Sequence, residues 1–359
     1  MRVLMVNDLL PGPGSGTEVY VDRLVRALTG AGHSVRVFEP PGPRLARARW
    51  RDVWDPEVRR RVRRAAQGCD IVHVHNFSRE LSPAVLDAAP EVPLVCTVHD
   101  HRLFVSDRPG ARWSPLTLVS RRLVTRARRG VRRHARQVVA VSAELAARLD
   151  GAGIGPVTVV PPFADPDPAA WQRSARTDIV YAGRLGPGKG VDVLLDAFAA
   201  VVDAVPAARL RIAGDGPDRN RLMERADARG VASRVRFEGL LGEAAVDALL
   251  HDAAVVCVPS VAAEGLPLLC VEAMLVGRPI VASDLPSLRT VLGDGTRGAL
   301  VARGDADALA ATIVALLQVP ARADSLGRAA RAEAEREYTT AVALARMRTV
   351  YDAAVASGG

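Results

Sequence analysis

Lysine is almost absent. Of the 48 basic residues in this 359-residue chain, 47 are arginine, so a rotatable ammonium is available only at Lys189 and every other basic side chain is a planar fork. Aromatic residues are scarce at 4%, too few for the stacking platforms that hold single-stranded nucleic acid, so no nucleic-acid partner is expected. No apolar run reaches the ~18 residues that span a bilayer. The opening Met1-Arg2-Val3-Leu4-Met5-Val6-Asn7-Asp8 is an apolar strand closed by an acid, unlike a signal peptide, and the expected location is the cytoplasm. Cysteine is rare as well. Cys69, Cys96, Cys257 and Cys270 lie in apolar segments without ligand spacing, which argues against disulfides and structural zinc and predicts four reduced, buried thiols.

What the chain does contain is a repeated alternation. Short β-branched runs occur at Val3 to Asn7, Val35 to Phe38, Ile71 to Val74, Leu94 to Val98, Val138 to Val141 and Val157 to Val160. They resume at Ile179 to Ala182, Leu210 to Ala213, Val235 to Phe237, Val255 to Val258 and Ile280 to Ala282. Helical stretches lie between, such as Tyr20, Leu24, Ala27 and Leu28 on one face. Strand, crossover helix, strand predicts parallel sheets covered on both sides, and a chain of this length suggests two such domains. Pro161, Pro162, Pro166 and Pro168 crowd with Asp165 and Asp167, a composition that continues neither strand nor helix, which puts a linker at about residues 161 to 176. Charge divides at the same place. Residues 1 to 165 carry 26 arginines against 16 acids, and the remainder carries 22 basic residues against 24 acids. Arginine clusters at Arg44 to Arg51, Arg59 to Arg64 and Arg121 to Arg136 read as solvated faces or as a surface for an anionic partner. In the last of them Val119, Leu123, Ala127 and Val131 give the helix an amphipathic look.

Two motifs carry chemistry. The run Gly183-Arg184-Leu185-Gly186-Pro187-Gly188-Lys189-Gly190 follows the strand Ile179 to Ala182 and places the single lysine on a glycine-rich loop, an arrangement suited to phosphate. The run Glu264-Gly265-Leu266-Pro267-Leu268-Leu269-Cys270-Val271-Glu272 separates two acids by seven residues, with Glu272 expected in the first turn of a helix. Carboxylates accept hydroxyl hydrogen bonds and a helix N-terminus favours anions, so the pair suits a ligand with a diphosphate and two sets of hydroxyls, as in a nucleotide sugar. Asp165-Pro166-Asp167 and Asp305-Ala306-Asp307 have metal-site spacing, but the first sits in the linker and the second follows Gly304, where it can simply open a helix; no metal is expected.

The pattern E-x7-E, the upstream G-R-L-x3-K-G, the loop Gly14-Ser15-Gly16-Thr17-Glu18, the strand end Asp70-Ile71-Val72-His73-Val74-His75-Asn76 and the run Thr97-Val98-His99-Asp100 together resemble retaining glycosyltransferases of family 4 over nearly the whole chain. The resemblance implies a GT-B fold, two Rossmann-like doubly wound parallel-sheet domains facing a central cleft. It implies an acceptor-binding domain over 1–165, a nucleotide-sugar domain over 166–337 and a C-terminal helix over 338–359 that crosses back. It also implies roles. Arg184 and Lys189 hold the donor diphosphate, Glu264 contacts the transferred sugar, Glu272 binds the ribose, Gly16 and Thr17 close over the phosphates, and His99 lines the reaction centre. Gly265, Leu266, Leu268 and Leu269 complete the donor site. His75 is a weaker candidate, and His73 is expected to pack in or near the sheet. Two departures stand out: Leu266 and Pro267 replace the Phe-Gly more usual after the first acid, and Ser15 replaces the first glycine of a pair. Pro267 has no backbone N–H to offer a sugar. The implied partners are a UDP- or GDP-linked sugar and a lipid-linked or other anionic acceptor at the inner membrane surface, or alternatively a soluble cyclitol or aminocyclitol. A sugar-nucleotide epimerase of the same fold is the competing enzyme class.

Overall fold

A computed structural model describes residues 1–8, 16–40, 55–77, 81–107, 115–166 and 177–357. The Arg44 to Arg51 cluster, Gly14, Ser15, Asp167 and Pro168 therefore lie outside the described residues. The chain divides into two compact units, one of residues 1–12, 17–161 and 343–359, the other of residues 13–16 and 162–342.

The first unit is built on six parallel strands: β1 (Arg2–Val6), β2 (Ser34–Val37), β3 (Ile71–Val74), β4 (Leu94–Val98), β5 (Ala135–Ala140) and β6 (Val157–Val159), in the order β2-β1-β3-β4-β5-β6. Val3 pairs with Ile71 and Val74 with Cys96. β3 and β4 are buried along their whole length, as parallel strands covered on both faces must be. Helices α1 (Gly16–Gly30), α2 (Pro56–Ala66), α3 (Pro115–His134) and α4 (Ala143–Gly151) are the described helices that join them. In α2, Asp55 caps the amide of Glu57 at 2.8 Å, Pro56 fits the first helical position, and Val58, Val62 and Ala66 form the buried stripe. The Arg59 to Arg64 cluster lies on the other face, where Arg59 meets Asp87 and Arg60 meets Glu57. It is a solvated helix face. In α3, Ala127 and Val131 are buried, while Arg126, Arg129, Arg132 and Arg133 are exposed. The side chains of Val119, Arg121, Arg122 and Leu123 lie outside those described.

The second unit repeats the plan with β7 (Asp178–Ala182), β8 (Arg209–Ala213), β9 (Val235–Gly239), β10 (Val255–Val258), β11 (Ile280–Ser283) and β12 (Ala299–Val301), all parallel, in the order β12-β11-β10-β7-β8-β9. Its helices are α5 (Val191–Ala204), α6 (Arg219–Ala228), α7 (Glu243–Asp252), α8 (Leu268–Val276), α9 (Pro286–Val291), α10 (Ala306–Gln318) and α11 (Pro320–Glu337). Strand β12 has no counterpart among the predicted runs. Asp305 caps α10 by accepting from the amide of Ala308 at 2.9 Å, the helix-opening use that its position after Gly304 suggested.

Helix α12 (Thr340–Ala356) groups with the first unit from Ala343 onward. Its Tyr351 is fully buried and its hydroxyl lies 2.8 Å from His73 Nδ1 on β3. Among the described residues no single helix is long and apolar enough to cross a membrane. The cysteines are free, and Cys96, Cys257 and Cys270 are buried, with burial pushing the thiols of Cys96 and Cys270 up to about 12. Cys69 differs from the expectation of four buried thiols. It is half-buried, because it sits in the turn between α2 and β3 and not in a strand.

Candidate active site

In the second sheet the chain runs outward from β7 through β8 to β9, then returns to β10 on the other side of β7. The loops leaving β7 and β10 therefore diverge, and a doubly wound sheet offers its ligand crevice at such a switch point. The glycine-rich loop leaves β7 and the loop with the first acid leaves β10. The amides of Val261 and Ala262 donate to the Gly188 carbonyl at 2.8 and 3.1 Å. Gly190 has φ +69°, and a Cβ there would stand 1.8 Å from the Pro259 carbonyl, so only glycine allows this approach. The loop after β8 joins them: Leu185 N donates to Asp215 O at 2.9 Å and Asp218 N to Leu185 O at 3.1 Å. Three adjacent loops thus form one backbone-bonded platform.

On that platform Lys189 Nζ lies 2.7 Å from Glu264 Oε2, and the buried Ser260 hydroxyl donates to the other carboxylate oxygen. Glu264 is thereby held at both oxygens, with its side chain 13% exposed and that of Lys189 34% exposed. Arg184 is exposed, and its guanidinium has no protein partner among the described residues; its carbonyl accepts from Tyr181 OH at 3.1 Å. Gly265 and Leu266 are buried beneath the loop, and Pro267 is the N-cap of α8 without a side-chain cap. The first bond of the helix runs from Cys270 N to Pro267 O at 3.1 Å, which leaves the N–H groups of Leu268 and Leu269 ahead of it. Glu272 does not lie in the first turn. Helix α8 starts at Leu268, so Glu272 is its fifth residue, half-buried on a helix whose other described side chains from Leu269 to Val276 are all buried. The helix begins earlier than expected because Leu268 and Leu269 are good helix formers directly after a proline N-cap.

The first sheet has its own switch point between β1 and β3. Asn7 and Asp8, buried at the end of β1, accept from the amides of Asn76 at 3.2 Å and Leu81 at 2.9 Å, tying together the loops on either side of it. Beside them three histidines stack. The rings of His73 and His75 are 4.2 Å apart and those of His75 and His99 5.2 Å apart, and Tyr20 meets His99 edge-on at 4.9 Å. His73 Nε2 lies 2.7 Å from Thr97 Oγ1, His75 Nδ1 2.9 Å from His99 Nε2, and His75 Nε2 2.9 Å from Met5 Sδ. Burial lowers all three imidazoles, taking His73 and His99 down to about 3 and His75 well below its ordinary value, with neighbouring histidines adding to the shift for His73 and His75. His73 packs within the sheet as expected. Gly16 and Thr17 open α1, the glycine exposed and the threonine half-buried.

Several residues escaped the sequence reading. Ser260 is the second residue after β10, and only its contact with Glu264 gives it a role. Tyr20 reads as a core residue at helical spacing, and it is buried, yet it also borders His99. Nothing local marks Tyr351, whose partner is 278 residues away.

Residues 14–168 match the family model described as Glycosyltransferase Family 4, and residues 168–333 match that of Glycosyl transferases group 1. A phosphatidyl-myo-inositol mannosyltransferase of Mycobacterium leprae is 32% identical over 394 residues, covering 100% of this chain and 98% of that protein. The chain is a family 4 glycosyltransferase. A second relative of this glycosyltransferase is a 2-deoxystreptamine N-acetyl-D-glucosaminyltransferase of Streptomyces fradiae, 33% identical over 261 residues, which covers 67% of this chain and 61% of that protein. Among solved structures, the sucrose-phosphate synthase of Thermosynechococcus elongatus superposes with a TM-score of 0.79 at 21% identity, covering 99% of this chain and 100% of its own. Anabaena HepE in complex with UDP and glucose superposes at 0.74 with 20% identity, covering 96% and 98%. The family 4 glycosyltransferase therefore has the GT-B fold, with a six-stranded parallel sheet in each unit.

Proposed function

We propose that this glycosyltransferase moves a sugar from a nucleoside diphosphate to an acceptor with retention at the anomeric carbon, using Lys189 and Arg184 instead of a metal at the leaving group. The observation that carries this reading is the Lys189–Glu264 pair, 2.7 Å apart on the loops of a sheet switch point. Breaking the sugar–diphosphate bond builds negative charge on the departing phosphate oxygens, and fixed cations and helix N–H groups stabilise that charge more than the ground state. An ammonium has three donors, so Lys189 keeps Glu264 while it also holds a phosphate oxygen. Glu264, fixed by Lys189 and Ser260, takes hydroxyls of the transferred sugar, and Glu272 takes those of the ribose. The leaving phosphate accepts the proton of the attacking hydroxyl on the same face. Calorimetry tests the division of roles: Glu272→Ala weakens binding of the bare nucleoside diphosphate, whereas Glu264→Ala spares that binding and lowers transfer. The opposite pattern refutes the assignment.

For the acceptor, the first unit offers its arginine surface. The excess of ten positive charges on residues 1 to 165 and the exposed Arg126, Arg129, Arg132 and Arg133 on α3 favour an anionic, lipid-linked acceptor reached from the membrane surface. The mannosyltransferase relative, named for a phosphatidyl-inositol substrate, points the same way. The aminocyclitol transferase relative favours a soluble acceptor as the second reading. Each arginine near an anionic bilayer is worth about 1 kcal/mol, screened by salt. The protein should then sediment with anionic and not with neutral vesicles at low salt, and reversing these four arginines to glutamate should abolish sedimentation. Equal, negligible sedimentation with both vesicle types removes the membrane reading in favour of the soluble one.

A further inference from the structure

We infer that His75 is a positioning residue that fixes which nitrogen of His99 carries the proton: His99 is held with its proton on Nε2, and its Nδ1 is kept as a hydrogen-bond acceptor. The role this gives His99 rests on the reading of His99 as a group at the reaction centre.

The chain of bonds begins at Met5. A thioether sulfur has no hydrogen to give and can only accept, so the 2.9 Å contact between His75 Nε2 and Met5 Sδ requires the proton of His75 to be on Nε2. A neutral imidazole has one donor and one acceptor. With Nε2 protonated, His75 Nδ1 carries a lone pair, and the group 2.9 Å away, His99 Nε2, must donate to it. His99 is then the Nε2–H form, with its one in-plane lone pair on Nδ1. A protonated His75 would reverse the requirement, since both of its nitrogens would donate. His75 is 2% exposed, stacked on His73 and enclosed by β1 and β3, and that burial keeps it neutral. The remaining contacts hold the rings in place. His73 is anchored at both nitrogens by Thr97 and Tyr351, and Tyr20 braces His99 from its edge.

Chemically the difference is large. An Nδ1–H would donate to a substrate oxygen, whereas an Nδ1 lone pair accepts from a substrate hydroxyl, and Nδ1 has no partner among the described residues. The Met5–His75–His99 chain therefore selects a hydrogen-bond donor, such as a substrate hydroxyl, as the partner of His99.

Long-range proton–nitrogen NMR on the 15N-labelled full chain reads the tautomers directly, with His75→Asn and His99→Ala used to assign the signals. Both His75 and His99 are expected in the Nε2–H form. An Nδ1–H form of His99 overturns the inference whatever the protein's substrate proves to be. Kinetics gives the second reading. His75→Phe keeps a ring but offers no acceptor, and should lower kcat about tenfold, the scale of one lost neutral hydrogen bond, with donor KM unchanged. His75→Asn places Oδ1 where Nδ1 stood, and should restore most of kcat and keep His99 in the Nε2–H form. If His75→Phe does not fold, the NMR of the wild type and of His75→Asn still decides. An unchanged kcat in His75→Phe, or an Nδ1–H His99 in His75→Asn, refutes the positioning role. His99→Ala separates the two levels: full turnover there removes His99 from the reaction centre, while the tautomer result stands by itself.

Discussion

The two sheets are both parallel and six-stranded, though they differ in strand order, and both hold polar residues at a switch point, yet they do so by opposite means. In the first unit the residues at the switch point are packed. His73, His75, Asn7 and Asp8 are buried and bonded to other protein groups, and the histidines are neutral because burial holds them so. In the second unit they are displayed. Backbone-to-backbone bonds and glycines make the platform, and Arg184 stands exposed on it. Neutral, packed histidines set direction and hydrogen-bond polarity at little cost in desolvated charge. A charged loop must stay accessible to bind an anion, so its rigidity has to come from the backbone.

That contrast predicts different failures. The largest effect belongs to the glycine platform. Gly190→Ala places a methyl group 1.8 Å from the Pro259 carbonyl at φ +69° and should cost ~3 kcal/mol or more of stability. Gly230 has nearly the same φ, +70°, with nothing within 4 Å, so Gly230→Ala should cost only about 1–2 kcal/mol for the left-handed backbone. Comparing the two denaturation midpoints separates the clash from the dihedral. Equal losses would mean that the platform yields.

Next in size is the displayed charge. Lys189→Ala should lower turnover by about a hundredfold, ~2.7 kcal/mol, while the protein stays folded, because the ion pair with Glu264 is not part of the core. Lys189→Arg sharpens this, since it keeps the charge but replaces a rotatable point with a fork. Full activity in Lys189→Arg would show that charge alone suffices.

The smallest effect per residue tests the packed cluster through pH. His73 and His99 have folded values lowered to about 3 from an ordinary 6.5, so the unfolded chain binds protons first as pH falls. Their contribution to stability is complete above about pH 6.5 and is lost as pH falls from there toward 3. At pH 5.5 each such histidine should have lost about 1.4 kcal/mol, read as a drop in the denaturant midpoint. A midpoint unchanged between pH 7 and 5.5 would mean that these imidazoles titrate normally.

Much of the architecture was legible in the residues. Eleven of the strands announce themselves as short β-branched runs, because parallel strands buried on both faces need apolar side chains at successive positions. Strand β12 does not: it is three residues at the sheet edge, between Gly298 and Gly304, and two of the three are only half-buried. Strand β5 begins at Ala135, three residues before its apolar run, because its first half, with Arg136 exposed, contributes backbone pairing more than burial. The start of α8 at Leu268 is hidden by the same kind of local ambiguity, an apolar stretch after proline that could extend or coil.

The sequence by itself determined the local chemistry: parallel α/β alternation, a lysine on a glycine-rich loop, two acids separated by seven residues and an arginine-rich front half. These are properties of neighbouring residues, and periodicity and steric rules act over a few positions. Only the tertiary structure decided which of them meet. Lys189 and Glu264 are 75 residues apart, and they touch because strand order puts β7 beside β10. His75 and His99 face each other because β3 and β4 pair in parallel, and Tyr351 reaches His73 across 278 residues because the last helix returns to the first unit. Contacts of that separation are set by how sheets order and close, which no short stretch of chain encodes.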